Sequence, residues 1–527
     1  MKPLAAISRD RPGFVANTLW SWAATAANVV MAFFVSPLVI RRLGDEAYGL
    51  WALVFSIVGY YGLLDLGVKS AVVKFIAHDW ALGNDKELNR TLNTAFLYFF
   101  VMGGTLLLLT LVLAPLSPRL FVISPGLRNT FVYMALLAGC GFAANLASGC
   151  FASCLEAVQR FDLSSRIAMT VSIARVAGIV GVLQSGFGLK VMVTVVVAAS
   201  ILQGVLSWRA FRQHFPQFRW SLADVNRASV RKLFGFGFYT VPSSIGWSFL
   251  IQGPRVVIGL ALPARFVGYY ALPLSLIQSV FELVQRLGLI TTARTAELVA
   301  HRRREPLIRL GIQANRYSLV VFMPAAIFLW VYGPALFRVW LTPEFAAMSA
   351  PLLPVFLAGA LLADASHFNS GSMLYGLAKH QVFSWILLAE SVVSLALVYH
   401  FAQQGNLMGA AVASAVVMVF NRGCVTPFLL CRHLKYPVSR YAVEVAVRPL
   451  AAGVLVAAAI WVCRNTWLPG RTFAELGTAG ALSAGAYFLV AGRWCVLEED
   501  QLWLLDLIRR NARFFERPAR RWLAWKS

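Results

Sequence analysis

Charge is what this sequence has least of. Asp, Glu, Lys and Arg make up 13% of its 527 residues, against about 25% in a soluble domain. With 59% hydrophobic residues and a mean hydropathy of +0.68, a water-soluble chain of this length could not bury its apolar surface. Acid is scarcer than base, 23 Asp and Glu against 47 Lys and Arg. Cysteine is sparse: the seven lie at 140, 150, 154, 424, 431, 463 and 495, in or beside apolar runs. None stands at metal-ligand spacing from a His, and Cys150 and Cys154, one helical turn apart, read as core thiols. No phosphate-binding glycine loop is present, which argues against direct ATP use. No polar segment is long enough for a catalytic domain with paired carboxylates, which argues against a membrane polymerase or glycosyltransferase.

What the sequence has is long apolar runs, continuous rather than alternating, which excludes a β-barrel. Bounded by charge, Gly or Pro, they predict fourteen spans: 14–40, 47–72, 92–114, 129–154, 163–184, 189–208, 234–261, 266–290, 316–337, 347–375, 383–402, 406–430, 441–463 and 475–496. Each is near the roughly 20 residues a helix needs to cross a bilayer. A count of twelve would require merging or discarding the weaker ones. The leading "MKPLAAISRDRPG" runs into an apolar stretch too long for a cleaved signal peptide and reads as the first span. The bases gather in alternate loops, such as "WRAFRQHFPQFRWSLADVNRASVRK" and "ARTAELVAHRRREPLIRL". That bias predicts a multi-pass protein with both termini cytoplasmic, and it explains the basic balance without a nucleic-acid partner. The tail "EEDQLWLLDLIRRNARFFERPARRWLAWKS" mixes Trp503, Leu504, Leu507 and Ile508 with bases. It reads as an interfacial amphipathic helix or a basic topology anchor.

The chain repeats itself after about 220 residues, as many transporters do. "FFVSPLVI" (33–40) answers "LIQGPRVVI" (250–258), and "DEAYGLWAL" answers "ARFVGYYAL", so Gly49 corresponds to Gly268. "LLAG" at 136–139 answers "FLAG" at 356–359, and "RQHFP" from Arg212 answers "RHLKYP" from Arg432. Asp65 and Lys69 in the second span are matched by Glu282 and Arg286 in the eighth, 217 residues later. Each pair is spaced i,i+4, so acid and base share a helix face and can partly neutralise each other. The expected fold is therefore all-α and polytopic. Two six-helix lobes, 1–220 and 221–437, are related by a pseudo-two-fold repeat. Two further helices (438–496) and a basic cytoplasmic tail (497–527) follow.

The stretch "RRLGDEAYGLWALVFSIVGYYGLLDLGVKSAVVKFIA" resembles the early signature of bacterial polysaccharide flippases of the O-antigen and exopolysaccharide type. Their superfamily also holds the multidrug extruders. "RVVIGLALPARFVGYYALPLSLIQ" resembles the start of their second half, and "YGPALFRVWLTPEF" a later segment; the likeness covers roughly residues 14–435. Where many relatives carry an acid before the Arg of helix seven, this chain has Pro254. The resemblance implies a transporter of the bacterial inner membrane, not an enzyme. It would move an oligosaccharide on a polyprenyl pyrophosphate carrier between leaflets by rocking of the lobes, the lipid tail staying among membrane lipids. It implies as partners a polysaccharide polymerase and chain-length machinery. No cofactor is implied, and coupling to a proton or sodium ion stays open. The alternative is an organic-cation antiporter of the same superfamily. That chemistry needs acids in the lobes to attract a cation and exchange it for protons, whereas 14–40 and 234–261 contain no Asp or Glu and the deep charges lean basic.

Deep charges mark the candidate site, because an ionisable residue in a bilayer costs roughly 2.5–3.5 kcal/mol and usually faces protein or water. The bases expected to meet a diphosphate are Lys69, Lys74, Arg175, Arg255, Arg286 and Arg422; Arg suits phosphate through its fork of donors. Lys69 and Lys74 fall near the cytoplasmic boundary, where snorkelling and first capture of a pyrophosphate share one geometry. Arg175 lies mid-helix, facing the cleft or a buried acid. Arg255 follows Gly253-Pro254, a helix breaker, and Arg422 leans towards snorkelling. The acids Asp65, Glu282, Asp364 and Glu390, with His367 on the face of Asp364, are expected as ion-coupling groups or ion-pair partners.

Overall fold

Helix ends follow the sequence punctuation. The computed structural model describes residues 33–65, 67–225, 229–231 and 241–495. The tail, the start of the first predicted span and part of the seventh lie outside them. Every predicted span with described residues contains a helix. Residues 33–43 form α1, which stops at Gly44 in the left-handed region (φ 88°). Asp45 and Glu46 open α2 (Asp45–Asp65), where acid suits the positive end of the helix dipole. Short α3 (Val68–Ala81) precedes α4 (Asp85–Leu120), whose first turn is capped by Asn84 accepting from the Glu87 N–H at 3.2 Å. Then come α5 (Pro125–Ala157), α6 (Phe161–Gln184) and α7 (Leu189–His214). The second set is α8 (Val241–Ala261), α9 (Ala264–Ala300), α10 (Arg304–Trp340), short α11 (Pro343–Ser349), α12 (Leu352–Gly376), α13 (His380–Gln403) and α14 (Leu407–Leu434). Two more, α15 (Val438–Thr466) and α16 (Phe473–Trp494), pack on α10. Among the described residues there is no strand, and eleven helices are long and apolar enough to cross a membrane.

Three local features depart from the expected run of straight spans. The second span is not one helix. Residues Tyr60–Asp65 tighten into a 3₁₀ turn, Gly67 turns left-handed (φ 76°), and α3 starts afresh at Val68. Asp65 and Lys69 therefore do not share a helix face; Asp65 Oδ1 accepts the Lys69 backbone N–H at 3.1 Å, acting as a cap. Second, α9 and α10 each run 37 residues, about 55 Å of helix. They outrun the roughly 30 Å hydrocarbon core, so most of the expected basic loop "ARTAELVAHRRREPLIRL" is helical. Third, π-turns interrupt α12 at Ala360–Ala365 and α14 at Val419–Val425, and the two pack against each other.

Successive long helices run back and forth, so the segments after α3, α5, α7, α9, α12 and α14, which hold Arg160, Arg219, Arg302, Arg303, Lys379 and Lys435, fall at one end of the bundle, here the basic end. Helices α3–α7 pack among themselves, as do α8–α14, and α2 lies between the two sets, against α5 of the first and against α8 and α9 of the second. The two groups meet where α2 and α8 cross and where α2 crosses α9. A Cβ on Gly49 would sit 1.8 Å from Ala264 O, and one on Gly268 would sit 3.2 Å from the Gly49 Cα. The two glycines matched by the repeat thus touch, as equivalent points near a two-fold axis must.

Candidate functional site

The groups are fastened together at the end away from the basic loops. Phe33 stacks on Trp340 with ring centroids 4.4 Å apart, and Trp340 Nε1 donates to Phe33 O at 2.9 Å. Arg41 Nη2 donates to Val339 O at 2.7 Å, and the Tyr269 hydroxyl donates to Asp45 Oδ2 at 2.8 Å. The buried Phe345 ring contacts both Tyr48 and Tyr269 edge-on. Midway, Tyr60 meets Phe249 at 5.6 Å. At the basic end the groups part around a cavity of about 350 Å³, lined by Asp65 and Ser70 on one side and Ser243, Ser244, Trp247 and Tyr375 on the other.

A second cavity of about 230 Å³ lies within the α8–α14 group, lined by Trp247, Tyr270, Gln278, Glu282, Asp364 and Arg422. A third, about 90 Å³, shares Trp247, Asp364 and Arg422 and adds His367 and Tyr375. Trp247 thus lines all three. The π-turns explain the arrangement. An extra residue in a helical turn re-aims the side chains around it, and the facing turns bring Asp364 and Arg422 into contact. Arg422 Nη1 donates to Asp364 Oδ1 at 2.5 Å, and its Nε donates to Glu390 Oε1 at 3.0 Å. Asn421 Nδ2 donates to Glu390 Oε2 at 2.5 Å. The guanidinium lies over the Trp247 ring, 4.6 Å from its centroid, a placement that favours a cation. The Glu390 side chain is fully enclosed (0% exposed) and those of Asp364 and Arg422 nearly so (13% and 11%). Arg422 therefore does not snorkel. Two carboxylates share one guanidinium, which leaves a surplus acid in a buried site. Among the described residues no three His, Cys, Asp or Glu are grouped to hold a metal ion.

Other predicted residues are dispersed. His367 is buried and its Nδ1 has no hydrogen-bond partner among the described residues. Arg255 Nη2 donates to Ser275 Oγ at 2.9 Å and Gln278 Oε1 at 3.2 Å. Arg175 Nη2 donates to Ser172 Oγ at 3.1 Å, within its own helix. Both arginines bond neutral oxygens. The stem of Lys69 packs over Gly149 of α5, whereas Lys74 is exposed beside Phe75. The side chain of Arg286 lies outside the described residues. Sequence reasoning missed Trp247 and Asn421. Asn421 left a signal, a polar pair with Arg422 inside "VVMVFNRGC"; Trp247 left none.

The family described as "Polysaccharide biosynthesis protein" matches residues 14–284, just over half the chain. The chain is 22% identical over 512 residues to the uncharacterized membrane protein EpsK of Bacillus subtilis (strain 168), covering 93% of this chain and 97% of that one. It is 23% identical over 418 residues to a Shigella flexneri protein named as a candidate O-antigen transporter, covering 77% and 95%. Among solved structures it is similar in fold to the lipid II flippase MurJ in an inward closed conformation. That match has a TM-score of 0.69 at 14% identity and covers 93% of this chain and 100% of that one.

Proposed function

Since the chain belongs to the family of polysaccharide biosynthesis proteins, we propose that it flips a polyprenyl-pyrophosphate-linked oligosaccharide across the bacterial inner membrane by alternating access. The basic end faces the cytoplasm, as expected for base-rich loops. The observation that carries the reading is the contrast between the two ends. One is fastened by Phe33–Trp340 and Asp45–Tyr269, and the other opens between α2 and α8. A cargo entering at the mouth would meet Asp65, Ser70 and the serines of α8 first. The diphosphate would then meet Arg255 and Arg175, whose neutral hydrogen-bond partners leave their charge uncompensated.

Arg422 has a different role in this reading. Its Nε and Nη1 are engaged by carboxylates, so it balances acids rather than phosphate. The Asp364–Arg422–Glu390 cluster is the coupling element, and a proton is the ion it suits, because the guanidinium occupies the space between the acids.

The test uses cells with and without the gene. Carrier-linked oligosaccharide is quantified and assigned to a leaflet with a membrane-impermeant label. Accumulation on the cytoplasmic side without the gene supports the flippase. Unchanged leaflet distribution with impaired efflux of lipophilic cations would replace it with the antiporter.

A further inference from the structure

The basic end holds a fourth cavity, outside the cluster and beside the mouth. It measures about 320 Å³ and lies where α9, α12 and α14 end and α10 begins. Arg302, Arg303, Arg304, His433 and Lys435 line one part of it, and no Asp or Glu is among its lining residues. The rest is aliphatic, including Leu307, Leu377 and Val299, the last 40% exposed. Helix C-termini attract bases, which offset their dipoles. That need is met by Arg304, whose Nε and Nη2 donate to Leu434 O at 3.3 and 3.2 Å and whose Nη2 reaches Lys435 O at 3.0 Å. Glu297, the acid just before this turn, is bonded to Arg294 at 2.6 Å. Four bases remain beside the one that caps the end of α14.

The backbone adds a second observation. Arg302 (φ 54°) and Lys435 (φ 53°) both occupy the left-handed region that ends a helix. Glycine is the usual residue there, because a Cβ costs roughly 1–2 kcal/mol. In the first half the turn 219 residues earlier is made by Gly83 (φ 65°). At Arg302 the second half thus carries a cation where the first carries glycine, at a conformational cost, and that residue lines the cavity.

We propose that this cavity binds the phosphate headgroup of an anionic membrane phospholipid, with Arg302, Arg303, His433 and Lys435 around the phosphate and an acyl chain against Val299, Leu307 and Leu377. Basic pockets between membrane helices suit such headgroups. The inference is independent of the cargo the protein flips.

The test is native mass spectrometry of the purified full-length protein in detergent, titrated with phosphatidylglycerol, phosphatidylcholine or inorganic phosphate. The double variant Arg302→Gly with Lys435→Gly keeps backbone conformations that glycine prefers, so its lipid-free melting temperature should be unchanged or higher. The wild type should bind one phosphatidylglycerol in preference to phosphatidylcholine, and the double variant should bind it about thirtyfold more weakly, the factor two interfacial bases contribute. Arg303→Gln, at a residue with ordinary φ, should weaken binding in the same direction. Unchanged affinity in these variants, or equal binding of phosphatidylcholine, would overturn the site. Inorganic phosphate displacing the lipid at equal concentration would make it a soluble-anion site instead.

Discussion

The two helix groups carry related sequences and use their charges differently. In α8–α14 the deep charges converge: Asp364, Glu390 and Arg422 form one buried cluster over Trp247. In α2–α7 they are scattered: Asp65 caps α3, Lys69 lies over Gly149, and Arg175 bonds its own helix. The matched residues part ways at the backbone. The helix holding Asp65 breaks at Gly67, whereas α9 runs unbroken past Glu282, which lines a cavity. A repeat preserves sequence positions, but the local backbone decides whether an acid caps a helix or lines a chamber.

The comparison is most exposed to substitutions in the cluster. We predict that Arg422→Ala lowers stability by about 3–5 kcal/mol, because it strands two buried carboxylates, and abolishes flipping. Arg422→Met combined with Glu390→Leu and Asp364→Asn, which leaves no stranded carboxylate, should recover most of the melting temperature but none of the leaflet transfer. Recovery of both would show that the cluster only holds the helices together. Next in size is the axis contact. Gly49→Val has no room beside Ala264 O and should cut flipping about tenfold or more through overpacking. Gly268→Ala, whose Cβ meets Tyr48 and Gly49 at 3.1–3.2 Å, should be milder. Equal effects would mean that the repeat is symmetric where the packing says it is not. Arg255→Ala should slow flipping at unchanged melting temperature, and Arg175→Ala, bonded within its own helix, should slow it less. The reverse order would move the diphosphate path into the first group. The smallest effect is at Asp65. Loss of the cap in Asp65→Ala should cost about 1 kcal/mol in thermal unfolding, whereas Asp65→Asn keeps an acceptor and should be nearly neutral. A large transport defect in Asp65→Asn would give the carboxylate a charge role at the mouth.

Much of the architecture was legible because hydropathy is local. The fourteen apolar runs mark the helices, and the matched "DEAYGLWAL" and "ARFVGYYAL" identify Gly49 and Gly268, whose contact follows from the implied axis. The break after Asp65 was not legible, since "GLLDLGVKS" continues an apolar run and one left-handed glycine leaves no trace in hydropathy. The cluster was half legible. Its acids and Arg422 stand out as charges in apolar runs, but their pairing spans 58 and 32 residues of sequence and depends on two π-turns that no composition records. Arg422 looked like a snorkelling residue because its distance along the helix was visible and its direction was not.

The π-turn at Ala360–Ala365 makes the length of this helix part of its meaning. Residues in an α-helix are spaced about 100° apart around its axis. Losing one residue from the turn would let it close into regular α-helix and swing the following half of α12 by about that angle. His367 would turn away from its cavity, and Asn369 and Ser370 from their buried partners Asn315 and Ser318. A one-residue deletion here would therefore act as a frame error within the folded helix, with no side chain in the cluster altered. The same deletion in the exposed turn at Gly405 would only shorten a connection.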